Sequence, residues 1–342
     1  CAGVDFRLQL PVIEGAGCET WIQVQNVGNA AAMPMLVAWG EPGFCPPQAA
    51  GPLKSECAGL LRPGAAWSFA GDQIPAGARS AVVYSLSTDP IEIQPGVKVP
   101  FGALVCDEVY FKVIGDYMNW VRFDAAYRNR GVWSGYDFGE HRGEPLATTV
   151  NRSCPDPTDP NLRGNAAYIG ISSDMEGAVD PTYGGYMYYA PLVFGDQQGL
   201  SSTLYLQNSG ILCTSLEIWF KSRESCLRSV LGDVLALSPG ETVRFDPATA
   251  VGSGWTGSAW IRSTQPLGIV VDTMGANHFT SYAAVPADSY DLGFTYGNQV
   301  NYAPLVFSEF QGWDSAIEVQ NLSATTSAKI KEVVETFKKS LF

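Results

Sequence analysis

The chain has 342 residues, of which only 16% are charged and 12% aromatic, with 36 Gly, 22 Pro and a formal net charge of −13 at pH 7. Such a composition is poor for long surface helices and suits strands separated by tight turns, in a length sufficient for two or three domains. The acidity sets nucleic-acid backbones and anionic membrane surfaces aside as partners, and no run of 18 or more apolar residues offers a bilayer span.

The sequence opens at Cys1 without an initiator Met or an apolar signal region, as a processed product would. Two chemistries fit that start: a lipid-modified cysteine acting as an anchor, or a half-cystine beside an ordinary cleavage site. The first predicted strands follow in "LQLPVIEGAGCETWIQVQNVG" from Leu8, where Trp21, Gln23 and Gln25 alternate with Ile22 and Val24. A small-residue turn after Gln25-Asn26 leads into a second strand, "MPMLVAW", and Pro-Gly in "LRPGAAWSF" supplies a type II turn between two more.

The segment from about Pro95 to Tyr183 departs from this pattern. It carries Trp120, Tyr127, Trp133 and Tyr136 together with Tyr117, Phe123 and Phe138. Such rings either stack on sugars or a partner protein, or form a satellite core that holds a long loop down.

The opening pattern then returns. "YAPLVFGDQQGLSSTLYLQNSG" starts at Tyr189 and "YAPLVFSEFQGWDSAIEVQNLS" at Tyr302, so the chain is built of repeats. The second copy continues through "SLEIWF", "LSPGETVRF" and "GSAWIRSTQPLGIVVDTMG", with Pro266 at a strand junction. Pro191 and Pro304 lie 113 residues apart, the size of one immunoglobulin-like β-sandwich, whereas Pro11 and Pro191 lie 180 apart, so the first copy holds the surplus. The expected architecture is all-β, with tandem immunoglobulin-like sandwiches at 1–183 (insertion at about 96–183) and 184–297. An incomplete third repeat or assembly tail occupies 298–342. Gln25, Gln207 and Gln320 are expected at equivalent strand ends, with Asn26, Asn208 and Asn321 turning the chain. The tail leaves apolar faces at Ile317 and Val319 for another strand to cover, either from a neighbouring subunit by strand exchange or from further residues of a longer chain.

Eight cysteines without a C-x-x-C pair, beside only His141 and His278, point to disulfides rather than zinc, and so to an oxidising compartment. Local bridges Cys213–Cys226 and Cys45–Cys57, across hairpin-like excursions, are the expected pairs. No G-x-S-x-G elbow, phosphate-binding loop or H-E-x-x-H motif is present, so no catalytic residue and no cofactor is assigned. Paired carboxylates among Asp107, Glu108, Asp116 and Asp124 leave glycoside hydrolysis open, and the acidic loops near Asp156 and Asp180 leave calcium open. Asn151 and Asn321 begin formal glycosylation sequons.

The pattern "YAPLVF…GWDSAIEVQN", followed later by "GSAWIRSTQPLGIVV", resembles the repeat of secreted and surface-exposed β-sandwich proteins of filamentous, Chloroflexi-like bacteria. The resemblance covers Tyr189 to about Asn321 well and the first copy loosely. It implies an extracellular structural, adhesive or filament-forming protein whose partners are copies of itself or cell-surface protein or glycan, with no catalytic residue to carry over. The alternative is a carbohydrate-binding module that uses the aromatics of the insertion.

Overall fold

The computed structural model describes residues 4–13, 17–42, 45, 53–106, 142–172, 177, 179, 184–210, 212–222, 228–276 and 278–287. Residues Cys1–Tyr296 form one compact unit and Gly297–Phe342 a second, and the described residues all lie in the first. The regular structure among its described residues is mostly antiparallel strand.

The first half contains β1 (Val4–Asp5), β2 (Arg7–Leu10), β3 (Glu19–Asn26), β4 (Met33–Trp39), β5 (Lys54–Cys57), β6 (Ala66–Ala70), β7 (Ser80–Leu86), β8 (Pro90–Gln94), β9 (Val97–Pro100), α1 (Phe101–Cys106), β10 (Leu146–Pro155) and β11 (Arg163–Ile169). The second contains β12 (Tyr186–Gly195), β13 (Ser201–Asn208), β14 (Thr214–Ser222), β15 (Arg228–Leu237), β16 (Thr242–Phe245), α2 (Ala248–Val251), β17 (Trp255–Ser263), β18 (Leu267–Gly275), β19 (His278–Ala283) and β20 (Val285–Pro286). One sheet of the first half runs β2-β7-β4-β5, and its counterpart runs β12-β17-β14-β15. The other runs β10-β3-β6 with β1 and β11 both on β10, and its counterpart runs β16-β13-β18-β19. Apart from β1, β8 and β9 in the first half and β20, which pairs β12 in the second, the halves match strand for strand.

Alternation explains the layers. In β3 the even positions Ile22 and Val24 are buried and the odd positions Trp21, Gln23 and Gln25 exposed; in β13 Leu204 and Leu206 are buried while Tyr205 faces outward. Leu8, Leu10, Leu36 and Val83 from one sheet meet Ile22, Val24, Phe69 and Val150 from the other in a single core. In the second half Tyr188, Ile218 and Ile261 meet Leu204, Leu206, Ile269 and Val271 in the same way. Each half is therefore a pair of sheets closed on a hydrophobic layer.

The Gln-Asn pairs do the same work in both halves. Asn26 Nδ2 donates to the carbonyls of Ala30 (2.8 Å) and Leu61 (3.0 Å), and its Oδ1 accepts from Gly28 N at 2.9 Å. Asn208 Nδ2 donates to Leu212 (2.8 Å) and Leu237 (2.9 Å), and its Oδ1 accepts from Gly210 N at 2.9 Å. A short side-chain amide ends the strand by supplying the turn with partners that the ladder no longer provides. The Pro-Gly turns complete each corner: Gly64 (φ 77°) and Gly240 (φ 80°) donate backbone N–H to the Asn26 and Asn208 carbonyls, both at 2.8 Å. Glycine is required for that positive φ, and at Gly240 also for space, because a Cβ would lie 2.4 Å from the Trp39 ring. Gln320 and Asn321 lie outside the described residues.

The insertion is shorter than the sequence suggests. β10 and β11 fall inside the span 96–183 assigned to it, yet they are regular sheet strands: Leu146–Ser153 pairs with β3, and Thr149–Pro155 with β11. The departure from the repeat leaves after β7 and returns at Arg142 and Gly143, where Gly143 N donates to the Ser85 carbonyl at 2.9 Å. Between the equivalent strands β17 and β18 stand only Thr264, Gln265 and Pro266. Polar substitutions along β10 hid its kinship to β18.

Both local disulfide assignments are corrected. Cys213 bonds Cys45, and Cys57 bonds Cys106, while Cys18 bonds Cys154. Cys213 precedes β14 (Thr214–Ser222), whose nine residues extend about 30 Å. A strand therefore separates Cys213 from the sequence around Cys226, where a hairpin mouth was expected; Cys226 itself lies outside the described residues.

Candidate functional site

One sheet face behaves oppositely in the two halves. The outward face of β3, β10 and β11 is organised by register into cross-strand rows: Trp21 opposite Asn151 opposite Ala167, and Gln23 opposite Thr149 opposite Ile169. Trp21 is 40% and Ile169 43% exposed, and Ser68 on β6 and Gln25 are also open to solvent. No charged residue stands in these rows; Glu19 and Arg163 lie at the rim. In a chain of net charge −13 this is a neutral patch with two large apolar side chains on it.

The equivalent face of the second half is sealed. Its rows are Thr203 opposite Asp272 opposite Ser281, and Tyr205 opposite Val270 opposite Ala283. Val270 belongs to the buried core of the first half, with Tyr205 and Ala283 packed against it. A Cβ on Gly268 would meet Gln9, Pro11 and Ile171 within 3.4 Å. Gln207 Nε2 donates to the Ala81 carbonyl at 3.1 Å as well as to Gly240 O at 2.9 Å, and Ser80 Oγ donates to Gly240 O at 3.1 Å. In this way the first half caps the β13–β18–β19 face, and the Cys45–Cys213 disulfide ties the two halves together beside that seam.

At the seam lies a buried ion pair. Arg152, 2% exposed, donates from Nη1 to Asp272 Oδ2 at 2.8 Å and from Nη2 to Asp272 Oδ1 at 2.5 Å, with Ser281 Oγ accepting at 2.8 Å. Its guanidinium sits over the rings of Tyr168 and Phe279, 5.7 and 5.2 Å from their centroids. Burial opposes the charge on Arg152, but the hydrogen bonds and field of Asp272 outweigh it and leave the guanidinium pKa above its ordinary value. Burial also raises the phenol pKa of Tyr168 and of Tyr205. Tyr168 Oη donates to the Val12 carbonyl at 2.6 Å, and the equivalent Tyr282 Oη bonds the Leu192 carbonyl. The pair is enclosed by ring faces and strand backbone, which is the arrangement of a structural clamp.

The sequence-predicted site residues are distributed otherwise. Trp120, Tyr127, Trp133, Tyr136, Ile317 and Val319, the carboxylates from Asp107 to Asp124, and His141 all lie outside the described residues. Asp156 is buried and spends its Oδ1 on Thr158 N, Thr158 Oγ1 and Asp159 N, capping its own turn. Among the described residues no group of three or more His, Cys, Asp or Glu comes together. Asn151 stands in the open face beside Trp21. Sequence reasoning missed both the open face and the ion pair, although the likeness of "EPLATTV" to "QPLGIVV" would have placed Asn151 and Asp272 in register.

No protein-family model matches the sequence, and no curated protein matches it. A crystal structure of a Thermotoga maritima protein designated 1070 is similar over 31% of this chain and 97% of its own, at 17% identity and a TM-score of 0.25. A likeness that weak carries no argument.

Proposed function

We propose that this chain is a secreted or cell-surface structural and adhesive protein, built of tandem immunoglobulin-like sandwiches and acting as a subunit of a filament or surface layer. It is of the kind found on filamentous, Chloroflexi-like bacteria. The observation that carries this reading is the set of long-range disulfides. Cys18–Cys154 spans 136 residues and Cys45–Cys213 spans 168, so the bonds cross-link distant strands and the two halves. Cross-links of this reach belong to an oxidising compartment and resist mechanical and proteolytic opening. A seam with a buried ion pair and mutual hydrogen bonds adds rigidity along the chain, as a load-transmitting module requires. Among the described residues no helix is long and apolar enough to cross a membrane.

Fractionation of the producing cells, followed by non-reducing peptide mapping of the native material, tests the reading. The expected result is recovery from the medium or the cell exterior with Cys45–Cys213 intact. Recovery from the cytosol with free thiols at these positions would count against it.

A further inference from the structure

We propose that the open face of β3, β10 and β11 is a docking surface for the far end of a second copy of this chain, so that molecules join head to tail. The inference rests on the filament reading above and supplies its contact. Inside the chain, the sealed face of the second half already shows what covers this surface. The end of the first half formed by Gln9, Pro11, Ala81, Arg152, Ala166 and Ile171 lies on or beside it.

Register carries that end onto the second half. Val150 pairs with Tyr168 as Val271 pairs with Tyr282, and both tyrosines make the same bond to the chain after the first strand. Pro191 therefore stands for Pro11, Ala259 for Ala81, Thr273 for Arg152, Thr280 for Ala166 and Val285 for Ile171. Ala166 is buried by the second half, whereas Thr280 is exposed, and Val285 is 52% exposed. Thus each end of the compact unit displays an unburied apolar group, Ile169 on one and Val285 on the other, at positions whose counterparts Ala283 and Ile171 belong to one core within the chain.

Charge agrees with this docking. Where the internal seam buries Arg152 against Asp272, the corresponding positions of the external contact are Thr273, which is buried within the second half on Ser202, and Asn151. Both members of the ion pair are neutral at once, so no orphan charge is buried when two copies join. Gln23 and Thr149 replace Tyr205 and Val270, which makes the external contact more polar and reversible where the internal one is permanent. Because the two surfaces differ, the contact is heterologous and repeats into an open chain.

Analytical ultracentrifugation of the full chain over a wide concentration range tests the proposal, using Ile169→Arg on the open face and Val285→Arg on the far end. Both residues are exposed in the single molecule, so each variant keeps the parent's melting profile. The parent should assemble progressively, and each variant should raise the concentration of half-assembly at least ten-fold. An equimolar mixture of the two variants should stop at dimers, since each retains the surface that the other lacks. A parent that stays monomeric, assembly indifferent to both variants, or a mixture that forms no dimer would overturn the proposal. So would a monomer that binds neutral polysaccharide through Trp21, or one whose own 297–342 segment covers Val285. Extracellular recovery of such a monomer would leave the broader functional reading standing.

Discussion

Gln25 and Gln207 occupy the same place in two copies of one strand, and each donates its amide to the carbonyl of the turn glycine, Gly64 or Gly240. Gln25 does so in water. Gln207 does so in the seam, fully buried, with a second bond to Ala81 of the other half. The difference teaches that the repeat specifies the corner, while the neighbour decides what the corner is worth. A hydrogen bond exposed to solvent exchanges for water at little net gain, whereas a buried donor left unmade costs its desolvation.

The most severe way to break this comparison is Arg152→Ala, which leaves Asp272 buried and unpaired in the seam. A loss of about 3–5 kcal/mol is expected in urea unfolding. Asn151→Asp, the matching position on the open face, should change stability by less than about 0.5 kcal/mol. Equal effects at the two sites would mean that the seam does not exist in solution. Replacing the pair together, Arg152→Met with Asp272→Leu, should recover most of the loss.

Alkaline pH probes the same seam. Tyr168 and Tyr205 have phenol pKa values raised above the ordinary value near 10, so the folded state holds protons that the unfolded state releases. Their contribution is complete below about pH 10 and is lost as pH rises through the folded values. Urea midpoints measured between pH 8 and 12 should be flat at first and then fall, and Tyr168→Phe should flatten the fall while lowering the plateau by about 1 kcal/mol through loss of the Val12 bond. A midpoint independent of pH up to 12 would contradict the buried placement of these rings.

Next in size are the corners themselves. Asn26→Ala and Asn208→Ala each remove three hydrogen bonds and should each cost about 2–3 kcal/mol, with the more enclosed Asn208 at the upper end. Thermal melts of the two variants compare them directly; a negligible effect at both would leave the Gln-Asn motif without a structural role. The smallest effects sharpen the opening contrast: Gln207→Ala is expected to cost about 1–2 kcal/mol and Gln25→Ala less than about 0.5 kcal/mol. A reversed order would show that burial at the seam has been assigned to the wrong half.

What the sequence revealed follows from the range of each interaction. The strand alternation of β3 and β13, the Asn turns and the positive φ of Gly64 and Gly240 are settled by residues a few positions apart, and all were legible. Arg152 finds Asp272 across 120 residues and Cys45 finds Cys213 across 168. Such partners are chosen by how the halves pack, and no local spacing records that choice. The open face stayed hidden for a related reason: Trp21, Gln23 and Gln25 read as an ordinary solvated side of a strand until their sealed counterparts are seen.

The chain from β8 through α1 has a further consequence, historical rather than energetic. Every residue of β7 is buried, and so is nearly every residue of β4, because Met35, Val37, Val82, Tyr84 and Leu86 cluster with Phe101 on the outer side, Trp39 lies against Gly240 of the second half, and Leu36, Ala38, Ala81 and Val83 face the inner core. The counterpart of β4, strand β14, still alternates. Once the outer face of a sheet has turned apolar beneath an added segment, that segment can no longer be lost without laying a hydrophobic surface bare. An addition that the repeat did not need has become one that this copy cannot discard, and its Cys57–Cys106 bond fastens the dependence covalently.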